Sequence, residues 1–163
     1  MVLTIDIGNT TIGIGGFQGN KLLFIEKISS RRPLSDAGYI EKLNMILNKH
    51  GLSAEAFEGS MISSVVPSVT AVFSSALETF LGRKPLILSH KLDLGYEICT
   101  EFPEKVGCDR LADIAGAISR YSLPFVTIDL GTATTFNVLD ENRRFLGGLI
   151  LPGVGTAHRA LLG

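Results

Sequence analysis

The chain has 163 residues, 45% of them hydrophobic and 19% charged, with 15 basic side chains against 16 acidic ones. At roughly 100 to 200 residues per domain, that length excludes a large multidomain assembly, and the apolar share is enough for a substantial core. The basic residues are scattered, with Arg31-Arg32 and Arg143-Arg144 as the adjacent arginine pairs, which excludes the footprint of a sequence-independent nucleic-acid binder.

Leu3 to Ile7, Thr11 to Phe17 and Leu22 to Ile28 are short apolar runs separated by Gly8-Asn9 and Gln18-Gly19-Asn20. They predict a three-stranded meander with tight turns. Ser35 to His50 spaces Tyr39, Ile40, Leu43, Ile46 and Leu47 as a helix does, with Ser35 as N-cap and Gly51 beyond the end. Met61 to Val66 predicts a strand, followed by a helix capped by Ser68 with Val69, Val72, Phe73, Ala76, Leu77, Phe80 and Leu81 on one face. Pro85 to Ser89 predicts a short strand, and Lys91 to Lys105, without a period, a loop.

Leu111 to Tyr121 predicts a helix with Leu111, Ala115, Ile118 and Ser122 on its packed stripe, starting near Cys108-Asp109. After Pro124, the segments Phe125 to Leu130, Thr134 to Leu139 and Phe145 to Leu151 repeat the opening strand, glycine turn, strand, turn, strand arrangement, and Gly155 to Leu162 begins a helix. Cys99 and Cys108 make neither a disulfide framework nor a zinc spacing. His50, His90 and His158 show no mutual spacing for a metal or a triad. The N-terminus has no basic n-region, and no segment reaches the ~20 apolar residues that span a bilayer. The expectation is a cytoplasmic protein without nucleic-acid or membrane partners. A mean hydropathy of +0.32 points to extra buried surface, most simply a homodimer interface.

The repeat extends to individual residues. Ile5-Asp6-Ile7-Gly8-Asn9-Thr10-Thr11 and Ile128-Asp129-Leu130-Gly131-Thr132-Ala133-Thr134 both read apolar-Asp-apolar-Gly-polar, followed by threonines. Either alone is an ordinary hairpin turn, since Asp, Gly and Asn favour turns. The pair, each between apolar strands, points to a nucleotide site built from two related lobes. In each, a carboxylate at the strand end, bare backbone at glycine and hydroxyl donors suit phosphate with a cation beside it. There is no G-x-x-x-x-G-K-[ST], and no G-x-G-x-x-G follows the first strand, which excludes P-loop and dinucleotide folds.

With Ile62-Ser63-Ser64-Val65-Val66-Pro67, Gly107-Cys108-Asp109-Arg110, Asp129 to Thr135 and Gly147 to Gly153 added to the first turn, the chain resembles the acetate and sugar kinase, heat-shock protein and actin superfamily. Within it the chain is similar to the type III pantothenate kinases, also called the Bvg accessory factor family. The resemblance implies an α/β, ribonuclease-H-like lobe over residues 1–123, including the Gly-x-Asp-Arg helix, and the beginning of an incomplete second lobe over 124–163. It implies transfer of the ATP γ-phosphate to the 4′ hydroxyl of pantothenate, the first step of coenzyme A synthesis, by a homodimer. Asp109 would be the general base, a role compatible with a helix N-cap. Gly107, Cys108, Asp109 and Arg110 would form the pantothenate site, with Cys108 a small apolar filler.

Further implied roles are Asp6 at Mg²⁺, Asp6 through Gly13 (Ile7, Gly8, Asn9, Thr10, Thr11 and Ile12 between them) and Thr132 at ATP, and Asp129 at a monovalent cation, K⁺ or NH₄⁺. Where the family usually has a pantothenate-contacting tyrosine, seven residues before the glycine of Gly-x-Asp-Arg, this chain has Thr100. Two alternatives stand beside the kinase: an inactive nucleotide- or pantothenate-binding regulatory module or fragment, and a sugar or acetate kinase, disfavoured by Gly-Cys-Asp-Arg.

Overall fold

The structure is a computed structural model that describes residues 1–162; Gly163, the last residue of the expected second lobe, lies outside the described residues. Backbone contacts divide the chain into two compact units, one spanning Met1–Leu88 and the other starting at Ser89.

In the first unit β1 (Val2–Ile7), β2 (Thr11–Gln18) and β3 (Lys21–Ser29) form the expected antiparallel meander. Strand alternation puts Leu3, Ile5 and Ile7 on one face, with Ile14 opposite Ile5 and Ile12 opposite Ile7, and none of these is more than 2% exposed. β4 (Gly59–Ser64) runs parallel to β1, and β5 (Leu86–Ile87) parallel to β4, giving the order β3-β2-β1-β4-β5. This is the ribonuclease-H-like arrangement.

Two helices, α1 (Asp36–Lys49) and α2 (Pro67–Leu81), bury Tyr39, Leu43, Leu47, Val69, Phe73 and Leu77 in one cluster with those strand residues. The rings of Tyr39 and Phe73 meet at 4.5 Å. Ser35 caps α1, its Oγ accepting from the Gly38 amide at 3.3 Å. Ser35→Ala is expected to cost about 1 kcal/mol, seen as a lower urea midpoint with an unchanged slope.

Ser68 does not cap α2. The helix starts two residues earlier than that cap implies, at Pro67 with Val66 in the cap position, because proline's fixed φ suits the first helical position and its missing N–H costs nothing there. Thr70 Oγ1 reinforces this start by donating to the Val66 carbonyl at 2.9 Å.

The second unit holds β6 (Glu97–Ile98), α3 (Cys108–Ile118), β7 (Phe125–Leu130), β8 (Ala133–Leu139), β9 (Arg144–Pro152) and α4 (Val154–Leu162). Its sheet order is β6-β9-β8-β7, with β7 to β9 an antiparallel meander like β1 to β3. The expected loop 91–105 contains β6, paired with β9, and a short helical turn at Pro103–Lys105. Two residues of strand are too few to show a period. α3 buries Leu111, Ile114 and Ala117, with Ile118 partly buried beside them, so the packed stripe keeps the expected Leu111 and Ile118, centres on Ile114 and leaves the expected Ser122 exposed. The reason is tertiary: Ile114 packs with Leu139 and Phe145 under the sheet. Because α3 lies on β7 and β8, the contact division falls after Leu88, ahead of the boundary after residue 123 expected from the sequence.

The β8–β9 turn is held by Asp140, whose Oδ1 accepts from the amides of Asn142 (2.9 Å) and Arg144 (2.8 Å) and whose Oδ2 accepts from Arg144 Nε (2.7 Å). Partial burial pushes this carboxyl up, but the hydrogen bonds from Arg144 and Asn142 outweigh it and hold the group below its ordinary range. A folded-state value below the unfolded one means that the contribution to stability is complete above the unfolded value and fades as pH falls through the folded one. Below about pH 4, Asp140→Asn is expected to flatten the pH dependence of unfolding followed by circular dichroism.

Candidate functional site

Each unit presents the same turn. Asp6 is the penultimate residue of β1, in register with Gly13 of β2 and Ser63 of β4. Asp129 is the penultimate residue of β7, in register with Thr135. After the aspartate, the Gly8 amide donates to the Thr11 carbonyl at 2.9 Å, and the Gly131 amide to the Ala133 carbonyl at 3.0 Å. Each turn is also tied to the end of its meander, by the Ser30 amide on the Thr10 carbonyl (3.1 Å) and the Gly153 amide on the Thr132 carbonyl (3.0 Å). Thr156 Oγ1 adds a bond to the Thr132 carbonyl at 2.8 Å.

Asp6, Asn9, Thr11, Asp129 and Thr132 are exposed, while Gly8, Thr10 and Gly13 are half-buried. Ile7 and Ile12 are fully buried, so at this turn they have only backbone groups to offer a ligand. A Cβ on Gly8 would lie 3.3 Å from the Thr11 carbonyl oxygen, so a side chain there would crowd the turn.

The Gly-x-Asp-Arg segment opens α3. Gly107 occupies the cap position, which corrects the expectation of Asp109 as the cap: Cys108, Asp109 and Arg110 form the first turn. Asp109 Oδ1 accepts from the Arg110 amide at 2.8 Å, and the helix N-terminus favours negative charge at this place. Cys108 is half-buried and outside any disulfide.

Arg110 points back across the sheet. Its Nε donates to Asn137 Oδ1, a terminal nitrogen donates to the Phe136 carbonyl at 3.2 Å, and the guanidinium lies 5.4 Å from the Phe145 ring centre. Burial lowers the Arg110 pKa, while Asp109 and Asp113 pull it the other way; a guanidinium keeps its charge through such shifts. Asn137 is 0% exposed and passes the constraint on, its Nδ2 donating to Thr127 Oγ1 at 3.0 Å.

Thr100 and Arg110 converge on Gly147-Gly148. A Cβ on Gly147 would lie 3.7 Å from Thr100 Cγ2, and one on Gly148 would lie 3.0 Å from an Arg110 nitrogen. Thr100 Oγ1 is buried with no hydrogen-bond partner among the described residues, the kind of group that a bound molecule satisfies. Sequence reasoning missed Asn137, Thr127 and Phe136. The signal available for Asn137 was a polar residue on the inward-facing side of a strand between Thr135 and Leu139.

Among the described residues no group of three or more His, Cys, Asp or Glu side chains gathers to hold a metal. Each turn instead offers one exposed carboxylate beside a glycine. That donor set fits a hard cation bound through one or two carboxylates together with substrate phosphates, the usual situation of Mg²⁺. Beside Asp129, a cavity of about 380 Å³ between α3 and β7 is lined by Asp113, Arg120 and Thr127 among others.

The repeated meander with an Asp-x-Gly turn in each unit is the fold of the acetate and sugar kinase, heat-shock protein and actin superfamily. Solved structures of that fold align along most of the chain. The ethanolamine utilization protein EutJ from Carboxydothermus hydrogenoformans has a TM-score of 0.52 at 14% identity, covering 98% of this chain and 54% of its own. The type II variant of the Aquifex aeolicus Ppx/GppA phosphatase gives the same four figures.

The type III pantothenate kinase family model matches residues 2–163, and the chain belongs to that family. The type III pantothenate kinase of Thermomicrobium roseum is 37% identical over 161 residues, which are 99% of this chain and 62% of the relative. That of Bifidobacterium animalis subsp. lactis is 39% identical over 161 residues, 99% of this chain and 64% of the relative. The chain thus spans less than two thirds of the length of these relatives.

Proposed function

We propose that the chain carries the substrate-recognising part of a pantothenate kinase that moves the ATP γ-phosphoryl group to the 4′ hydroxyl of pantothenate. The observation that carries this reading is the opening turn of α3, where Asp109 stands beside an Arg110 held in place by Asn137 and the Phe136 carbonyl. An arginine fixed by its own protein can clamp a substrate without the entropy loss of freezing a mobile side chain.

Asp109 accepts the 4′ hydroxyl proton as that oxygen bonds to the γ-phosphorus and the bond to ADP breaks. The transition state of phosphoryl transfer is loose, so positioning and charge neutralisation matter more than the strength of the base. Arg110, Gly107 and Thr100 orient pantothenate, and the turn from Asp6 to Gly13, with Thr132, binds ATP. Asp6 would hold Mg²⁺ and Asp129 a monovalent cation, K⁺ or NH₄⁺. Bound Mg²⁺ neutralises negative charge on the triphosphate.

The same reading includes a homodimer in the cytoplasm. Among the described residues no helix is long and apolar enough to cross a membrane.

A second reading is a module that binds nucleotide or pantothenate without transferring phosphate. Coupled ADP release with pantothenate, ATP, Mg²⁺ and K⁺ separates the two. Turnover that stops with Asp109→Asn supports the kinase; ligand binding without ADP release, in this chain and in a version extended to the relatives' length, supports the module.

A further inference from the structure

The row of residues that crosses the first sheet at Asp6 reads Ser63, Asp6, Gly13 and Lys27, from β4, β1, β2 and β3 in turn. Residues paired directly across strands stand on the same face. Here that face is turned away from Leu3, Ile5 and Ile7 and from the helices packed on them. β3 shows the division directly. Glu26 faces α1, its Oε1 accepting from Lys49 Nζ at 2.7 Å and lying 2.8 Å from His50 Nε2. Its neighbour Lys27 is therefore directed to the Asp6 face.

Gly13 is the gap in this row. A Cβ added there would lie 3.8 Å from Asp6 Cβ and meet nothing else within 4 Å but the Asp6 carbonyl. Bare backbone thus separates the carboxylate from the lysine. A glycine inside a strand weakens it, and marks either a bulge or the close approach of a ligand. The register of β2 breaks farther along, between Gly16 and Phe17, which leaves the second explanation for Gly13.

Both ends of the row carry unmet polar groups. Lys27 is exposed and makes no ion pair among the described residues. Two strand spacings put its backbone about 10 Å from that of Asp6, so an ammonium on a four-carbon stem reaches into the space over Gly13. On the other flank of Asp6, Ser63 is 8% exposed, and its hydroxyl has no hydrogen-bond partner among the described residues. A buried polar group of this kind is one that a bound molecule satisfies.

From this row we infer that Lys27 is a phosphate-binding residue, its ammonium contacting the polyphosphate chain of a nucleoside triphosphate seated on the turn from Asp6 to Gly13. The inference rests on the reading of that turn as the ATP site and adds to it a residue from β3. The charge balance calls for such a group. The Asp6 carboxylate repels phosphate, and a single divalent cation leaves ATP anionic, so phosphoryl-transfer sites set a basic side chain against the phosphates. A lysine acts there as a point charge, which makes it a reader of the phosphate chain and not of the base.

The test acetylates the 163-residue chain with a limiting amount of an activated ester and follows each lysine by mass spectrometry. ATP or inorganic tripolyphosphate, each with Mg²⁺, is expected to shield Lys27. Adenosine should not, and Lys21, at the far end of β3, should react equally throughout. Lys27→Met should raise the Kd for ATP in equilibrium dialysis about tenfold or more, as loss of a charge-assisted contact does, with unchanged circular dichroism. Lys27→Arg should keep most of the affinity. ATP binding that Asp6→Asn weakens, without shielding of Lys27 or without an effect of Lys27→Met, overturns this inference alone. ATP binding that Asp6→Asn leaves unchanged, or no ATP binding at all, overturns the reading of the turn and this inference with it. The shielding is measured on the unaltered chain, so it holds whether or not a variant folds.

Discussion

Asp109→Asn is expected to lower ADP release by about 10²- to 10⁴-fold, the usual contribution of a positioned general base. The replacement is nearly isosteric, and its side-chain oxygen can still accept the Arg110 amide that Asp109 Oδ1 accepts at 2.8 Å. The first turn of α3 therefore keeps its geometry, and circular dichroism and the urea midpoint should stay close to those of the parent. The informative combination is lost turnover with retained pantothenate binding. A variant with unchanged kcat would remove Asp109 from the chemistry, and one that unfolds would make it a structural residue.

Gly148→Ala has the opposite character. The added methyl would overlap the Phe136 carbonyl oxygen in the neighbouring strand, sit 2.7 Å from the carbonyl carbon and lie 3.0 Å from an Arg110 nitrogen. The guanidinium could swing aside, but the carbonyl belongs to the β8–β9 ladder and cannot. The expected cost is about 3 kcal/mol, the upper end for overpacking, read as a lowered urea midpoint of the second unit. Since the Phe136 carbonyl is also an acceptor for Arg110, any variant that survives should bind pantothenate more weakly. Wild-type stability would show that the two strands spread apart easily.

The features legible in the sequence were those that local chemistry determines. The meanders were visible because strand alternation and glycine turns act over a few residues, and Ser35 because a cap is made with its own helix. The paired Asp-x-Gly turns were visible because both copies kept the same order of residue types. The features that escaped depended on partners distant in the chain. The centring of the packed stripe of α3 on Ile114 follows Leu139 and Phe145, more than 20 residues on. Asn137 matters through a bond to Arg110, 27 residues away. Ser68 lost the capping position to Val66, a contest between two local rules in which the preset φ of Pro67 at the first helical position prevailed. The division after Leu88 was hidden because α3 precedes in sequence the sheet on which it packs.

The unequal cores bear on how the molecule is made. The first unit has its sheet and both helices around one continuous apolar cluster, whereas the second has a small centre at Ile114, Leu139 and Phe145. On the ribosome the residues of the first unit are complete at Leu88, and the 75 residues of the second unit are made after them. At about 5 to 20 residues per second that is a wait of about 4 to 15 s, during which the first unit can fold while the second is still being synthesised. The sticky interval in the life of the chain then comes late, once β7 to β9 are out, and chaperones that hold nascent polypeptides should engage it there.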